Sequence, residues 1–270
     1  MIEMAAPDDR LFELYEQGGK LFPLIHAVLS GRQPGRVYVD DAANPTAAWV
    51  QTRFLFCTLL GAENKDFDAW LTERFVVGDL DGDYHLWYAP PKRWAERLQT
   101  LGEDVRVRPR TRFRFDLAKA AYLTQPDELP DGLALAPLSE RTLAASEPLG
   151  MAMDSRFWPN TAALFEHGVG AFLMRGDSVV SACYAAAASG GHAEVDIVTP
   201  EAERGHGYAR IVARAFARQC CERGITPAWD CFDYNAPSMR LAEGLGFVPA
   251  TTYDLYSFNT PLKAIERIAT

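Results

Sequence analysis

The sequence predicts an α/β (α+β) protein, a mixed sheet with flanking helices, arranged in two parts. Three observations predict it. Short β-type runs alternate with amphipathic helical runs along the whole chain. The composition, 48% hydrophobic and 23% charged, is that of an ordinary globular protein. The length, 270 residues, sets a prior of roughly two domains. The division is predicted near 117–131, where AKAAYLTQPDELPDG brings two prolines, several acids and a glycine after a strand-like run. It gives an N-terminal α/β part, 1–120, and a second part, 131–270.

The first part opens with helical apolar spacing at Leu11, Leu14 and Tyr15, then at Leu21, Leu24, Ile25 and Val28. Strands are predicted at VYVD (37–40), AAWVQ (47–51) and FLFCTLLG (54–61). Phe67, Leu71 and Phe75 recur every four residues and predict a helix over DFDAWLTERF. A strand, YHLWYAP, and a helix, PKRWAERLQTLG, follow, with Pro91 early in the helix and Gly102 at its end. The run VRVRPRTRFRFD reads as one or two strands, because Pro109 cannot donate to a ladder.

The second part begins with a strand and helix in LALAPLSERTLAASEPLG. Strands are predicted at GAFLMRG (170–176), SVVSACYAAA (178–187) and HAEVDIVT (192–199). A helix spans about 207–223. The strand TPAWDCF, a short helix at 236–245 and the strand TTYDLYSF complete the chain.

Charge excludes some functions. Basic residues number 27 and acidic residues 36, a net charge of −9. Wrapping a nucleic acid requires a basic surface, so none is expected as a partner. The start, MIEMAAPDDRLFEL, lacks a basic stretch followed by an apolar one, and no run reaches the roughly 18 apolar residues of a membrane span. The expectation is a cytoplasmic protein with no membrane partner. Its five cysteines, without any CxxC spacing, read as reduced, mostly buried thiols.

The most informative segment is EVDIVTPEAERGHGYARIVARAFARQ. A strand ends at Thr199, a short loop reaches Gly205 and Gly207, and an amphipathic helix follows with Tyr208, Val212, Phe216 and Cys220 on one ridge. First-turn amides of a helix lack intrahelical acceptors and lie at the positive end of its dipole. Glycines let an anion approach them, and Arg204 adds a full charge. A phosphate or pyrophosphate is the natural guest, although the loop alone also fits a tight strand–helix turn. It is not a P-loop, since no GK[ST] follows, and Arg210 breaks GxGxxG.

One strand later comes WDCFDYNAPSMRLAEGLGF. Asn235 stands where an N-cap belongs, Pro237 lies in the first turn and Gly246 ends the helix. Together the two segments resemble the GNAT superfamily of acetyl-CoA-dependent N-acetyltransferases. RGHGYA, from Arg204 to Ala209, fits that family's R/Q-x-x-G-x-G/A signature. The stretch from Asn235 to Phe247 fits N-x-x-[AS]-x-x-L-x-x-x-x-G-F. The resemblance covers about 131–258. AEVDIVT and WDCFDYNAPSMRLAEGLGF are similar to the two-part subgroup that includes zwittermicin-resistance-type acetyltransferases.

The resemblance implies roles. Acetyl-CoA is the co-substrate, and a primary amine of a small molecule accepts the acetyl group in a ternary complex. Backbone amides across Gly205, His206, Gly207, Tyr208 and Ala209 hold the pyrophosphate beside Arg204. Ile197, Val198 and Thr199 meet the pantetheine arm, and the Val198 amide polarises the thioester carbonyl. Asn235 and Ser238 line the cofactor's other side. Arg210 or Arg214 reaches the 3′-phosphate, although a solvated helix face suits both arginines better.

Amide formation requires a neutral amine. Strand alternation sets His192, Glu194 and Asp196 on one face with Val198. Glu194, four residues before Val198, is the first candidate for general base and His192 the second; an ordinary polar strand face is the alternative. No metal is expected, since strand neighbours two apart stand about 6.5–7 Å apart, and the P-C-x-x-C that would accompany a deaminase His-x-Glu is missing. The family's proton-donating tyrosine is replaced here by Ala242, which leaves Tyr208, Tyr234, Tyr253, Tyr256 or water for that task. Two other functions stay open: a non-catalytic acyl-CoA-binding regulatory protein, and a transferase of a longer acyl group.

The element order in 37–116 echoes that in 170–258, which suggests a degenerate GNAT-like first part. It has no RxxGxG/A loop, so no second cofactor is expected. The alternating Arg106, Arg108, Arg110, Arg112 and Arg114 read as a solvent face, or as partners of the many acids, before they read as an anion site. His26, His85 and His167 read as structural, and Trp158 and Trp229 as core or cleft lining.

Overall fold

The computed structural model describes every residue except 6, 19–21, 81, 103, 151 and 263–270. The expected apolar position Leu21 lies outside the described residues. The chain forms two compact units, Met1–Arg110 with the chain from Tyr253 onward, and Thr111–Thr252.

The first unit runs β1 (Ile2–Glu3), α1 (Asp9–Gln17), α2 (Pro23–Leu29), β2 (Gly35–Val39), β3 (Ala47–Thr52), β4 (Phe56–Gly61), α3 (Lys65–Val77), β5 (Tyr84–Tyr88), α4 (Lys92–Leu101) and the start of β6 (Arg106–Phe115). β6 is one strand, not two: Pro109 sits at an exposed position within it. β1 to β4 pair antiparallel and β4 pairs parallel with β5. A parallel pair needs a crossover, and α3 supplies it. The core gathers Trp49, Phe67, Phe75, Trp87 and Trp94, with Trp49 edge-on to Trp87 at 4.7 Å. Buried Asp68 accepts from Arg93 Nε (2.7 Å) and Trp94 Nε1 (2.8 Å), which fastens α3 to α4.

The second unit contains β7 (Ala134–Pro137), α5 (Glu140–Ser146), α6 (Met153–Arg156), α7 (Thr161–His167), β8 (Gly170–Arg175), β9 (Ser178–Ser189), β10 (His192–Val198), α8 (Tyr208–Glu222), β11 (Thr226–Phe232), α9 (Ala236–Gly244) and the start of β12 (Phe247–Asn259). Its strand order is β6-β11-β10-β9-β8-β7. β7 to β10 are antiparallel, and β10 and β11 parallel. The ridge Tyr208, Val212, Phe216 and Cys220 is buried on β8 and β9. Ala182, Ala185 and Ala187 of β9 are fully buried.

The connectivity therefore repeats. Three antiparallel strands, a helix, a parallel strand and a second helix occur as β2-β3-β4-α3-β5-α4 and again as β8-β9-β10-α8-β11-α9. The strand after each second helix is divided between the two units. β6 contributes Thr111 onward to the second, and β12 pairs with β5 in the first, as in Leu255 opposite Tyr88.

The division thus falls inside β6 and β12, and 117–131 is not a free connection. Two 3-10 turns, Leu117–Lys119 and Ala121–Thr124, lie in it. Arg218 of α8 donates to Leu123 O (3.1 Å), Gln125 O (2.9 Å) and Asp127 (2.6 Å). The Tyr122 hydroxyl donates to Leu245 O at 3.2 Å. The prolines and acids that read as a linker shape a strap bound to α8.

All five cysteines are free thiols, and burial pushes those of Cys57, Cys183 and Cys220 up. Among the described residues no helix is long and apolar enough to cross a membrane, and no group of three His, Cys, Asp or Glu could hold a metal.

Candidate functional site

The site begins where two parallel strands separate. β10 pairs with β11 at His192, Ala193 and Glu194, opposite Thr226, Pro227 and Ala228. Beyond Glu194 the pairing stops while both strands continue. A bulge marks the same level, because the β9 register slips between the partners of Glu194 and Val195. The far ends of β10 and β11 form a fork.

The arm of β10 leads into the glycine loop. Gly205 (φ 82°) and Gly207 (φ 78°) hold left-handed conformations that favour glycine. A Cβ on either would meet nothing within 4 Å, so both face open space. Gly207 is the N-cap of α8 and offers no side-chain cap, and the first turn holds no acid. Among the described residues no acceptor is found for the amides of 205–209. They lie at the positive end of a 15-residue helix, where an anion is stabilised. Arg204 is tethered by Nε to Thr199 O at 3.2 Å. Arg175 grips Glu203 with two bonds, 2.5 and 3.0 Å, and this contact holds the Glu203 carboxyl below its ordinary range. Glu203, the acid of this loop that lines the cleft, is thereby neutralised by its partner.

The other wall is the start of α9. Asn235 Oδ1 accepts from the Ser238 amide (3.2 Å), the N-cap expected from sequence. Ser238 Oγ accepts from Trp229 Nε1 at 3.1 Å, which ties α9 to β11. An open cleft of about 620 Å³ results, lined by Ile197, Val198, Thr199, Arg204, Gly205, Gly207, Tyr208, Ala209, Asn235 and Ser238, with Glu203, Arg210, Pro237 and Leu241. Every residue expected to bind cofactor stands on it except His206, whose ring stacks on Tyr208 at 5.2 Å.

The three candidate catalytic groups do not line this cleft. Glu194 is 6% exposed and accepts from Arg112 Nη1 at 2.6 Å. Asp196 accepts from the Tyr184 hydroxyl at 2.8 Å; burial, first, and the Asp196 charge, second, push that phenol up. His192 Nδ1 lies 2.8 Å from Gly190 O at the exposed start of β10.

The family model of GNAT acetyltransferases matches residues 18–256. The chain belongs to the GNAT acetyltransferase family. It is 28% identical over 239 residues to the Bacillus subtilis (strain 168) protein named uncharacterized N-acetyltransferase YdfB, covering 86% of this chain and 88% of that one. The fold is that of a GCN5-related N-acetyltransferase-like protein from Streptococcus suis 89/1591, with TM-score 0.72, 23% identity and 92% and 96% of the two chains covered. A tandem GNAT protein from the clavulanic acid biosynthesis pathway superposes at TM-score 0.67 with 11% identity, covering 96% and 97%.

As a GNAT acetyltransferase the chain is an acyltransferase. Arg214, expected with Arg210 on a solvated helix face, is packed instead, as is Arg218 on the same side of α8. Arg218 binds the strap, and Arg214 stands 3.7 Å from Asp127 with its guanidinium 5.1 Å from the Tyr122 ring centre. Only Arg210 of the three lines the cleft. Ala242 is fully buried. Of the alternative tyrosines, Tyr253 and Tyr256 belong to the first unit, Tyr208 receives a bond from Arg175 (3.4 Å), and Tyr234 is 65% exposed. Sequence reasoning missed Asp230 and Tyr184, and it named Arg112 only as one of five alternating arginines that could pair with acids, as Arg112 does with Glu194 and Asp230. The one available signal was Asp230 itself, a lone charge inside the apolar run AWDCF.

Proposed function

We propose that this GNAT acetyltransferase moves an acetyl group from acetyl-CoA to a primary amine of a small molecule, by direct attack in a ternary complex. The observation that carries this reading is the set of unaccepted amides at 205–209, opening a 15-residue helix at the end of a strand fork. That is the donor chemistry a diphosphate requires. The cleft has room for an extended chain, and its glycines keep side chains out of it. When bound, acetyl-CoA supplies an acyl thioester.

The chain's residues then divide the work. Amides of 205–209, with Arg204, hold the diphosphate, and Arg210 meets a further phosphate. The Ile197, Val198 and Thr199 backbone orients the arm, with the Val198 amide on the thioester carbonyl, and Asn235 and Ser238 border its other side. Glu194 accepts the amine's proton through water, since it is buried and off the cleft. His192 and Asp196 extend the same strand face toward the amine. Ala242 offers no acid, and none is needed for a thiolate of ordinary basicity, with a pKa of about 8.5. The two-part subgroup of zwittermicin-resistance type remains the finer placement we favour. The first unit is the degenerate, non-binding counterpart of the second.

The test is thiol release from acetyl-CoA across a panel of primary amines. Release that depends on one amine class supports the reading. Binding of coenzyme A without release for any amine would contradict it, and release only from longer acyl donors would reassign the donor.

A further inference from the structure

We infer that Arg112 is a positioning residue for the reaction: from β6 it bridges Glu194 of β10 and Asp230 of β11 at the base of the fork, fixing the Glu194 carboxylate and keeping it ionised. The inference rests on Glu194 as the proton acceptor proposed above.

The geometry is specific to this level of the sheet. The backbone ladder between β10 and β11 ends at Glu194 opposite Ala228. Arg112 Nη1 donates to Glu194 Oε2 at 2.6 Å, and Arg112 Nε stands 3.1 Å from Asp230 Oδ2. The three side chains are 6%, 8% and 1% exposed. One guanidinium therefore joins the two strands where their peptides stop doing so. Its planar fork presents N–H groups along several edges, which a lysine ammonium cannot reproduce. The neighbouring Thr111 donates its hydroxyl to Asp233 Oδ1 at 2.7 Å, so β6 also holds the chain just beyond β11.

Buried carboxylates facing a cation stay charged; without it, burial and mutual repulsion favour their protonated forms. The charged and titratable groups around Glu194 include Arg112 on β6, Asp230 on β11, and His192 and Asp196 on β10, with Arg156 of α6 acting on Tyr184 beyond Asp196. Asp196 is itself bonded to Tyr184 of β9, and Asp233 is held by Thr111. Arg112 is the permanent cation bonded directly to Glu194, so its removal raises the proton affinity of Glu194. A base works ionised, so the acid limb of the rate profile moves to higher pH.

The experiment compares the wild type with Arg112→Met and Arg112→Lys. The readouts are kcat/KM against pH for an accepted amine, coenzyme A affinity, and the carboxyl carbon titration of Glu194 by NMR, assigned with Glu194→Gln. For Arg112→Met the acid limb and the NMR midpoint are expected to rise by about one pH unit or more. Coenzyme A affinity stays within about threefold, because the cleft does not include Arg112. For Arg112→Lys the midpoint stays within about half a unit while kcat falls about tenfold, because the bridge is lost. A folded Arg112→Met protein with wild-type midpoints would overturn the inference. An acid limb that survives Glu194→Gln would instead refute Glu194 as base, and the NMR midpoint would still decide on Arg112. If Arg112→Met does not fold, Arg112→Lys decides: full kcat overturns the bridge, and lost kcat with an unmoved midpoint supports it.

Discussion

The junctions β4–α3 and β10–α8 hold the same place in the connectivity of the two units, yet one is closed and the other open. Asn64 caps α3, its Oδ1 accepting from the amides of Asp66 and Phe67 at 3.1 Å each. Its Nδ2 donates to Asp40 at 2.9 Å. Burial opposes ionisation of Asp40, but bonds from Thr46, Ala47 and Asn64 outweigh it and hold its pKa at about 2. Two acids, Asp66 and Asp68, occupy the first turn of α3. α8 has no side-chain cap and no acid there. The forks differ in the same sense. Past the Cys57–Trp87 pair, β4 and β5 enclose about 240 Å³, bounded by Tyr15 and Phe22 of the helical segment. Phe22 stacks on Tyr88 at 4.3 Å and meets Tyr253 edge-on at 5.3 Å. The fold supplies the same strand–helix junction twice, and in the first unit a cap residue satisfies the helix amides while an aromatic side chain packs against the strands.

The largest expected effect comes from unplugging the closed fork. Phe22→Ala should cost about 3–5 kcal/mol of stability, read by urea unfolding. Next, Gly205→Asp puts a carboxylate on the open cradle and should weaken coenzyme A binding by about a hundredfold, close to 2.7 kcal/mol. Third comes acid sensitivity of the first unit, where burial holds His85 down at about 4. It stays neutral in the folded chain and charges in the unfolded one. Stability present above pH 6.5 is therefore lost as pH falls toward 4, by about 2 kcal/mol, and His85→Gln should flatten that decline. Fourth, Glu194→Gln should lower turnover about tenfold with coenzyme A affinity near normal. Smallest, Asn64→Ala should cost about 1 kcal/mol and leave coenzyme A binding unchanged. A large binding change from Asn64→Ala, or none from Gly205→Asp, would erase the contrast between the junctions.

What was legible in the sequence was local. RGHGYA and NAPSMRLAEGLGF each lie within one junction, so glycine, cap and helix ridge could be read from neighbours. The Arg112–Glu194 contact joins residues 82 apart, and no local pattern announces it. The five arginines of β6 alternate alike, but burial rises only at 111–113, where the strand joins the second unit. The strap at 117–131 reads as a linker because its prolines and acids are visible, whereas its partner Arg218 is nearly a hundred positions away. The division of β6 and β12 between the two units is set by contacts far apart in the chain, to which strand periodicity is blind.

Calorimetric titration of coenzyme A into the full chain tests the contrast between open and closed junctions most directly. One molecule per chain, with heat lost in Gly205→Asp and retained in Asn64→Ala, is the expected result. No heat with the folded wild type, or two molecules per chain, would contradict it.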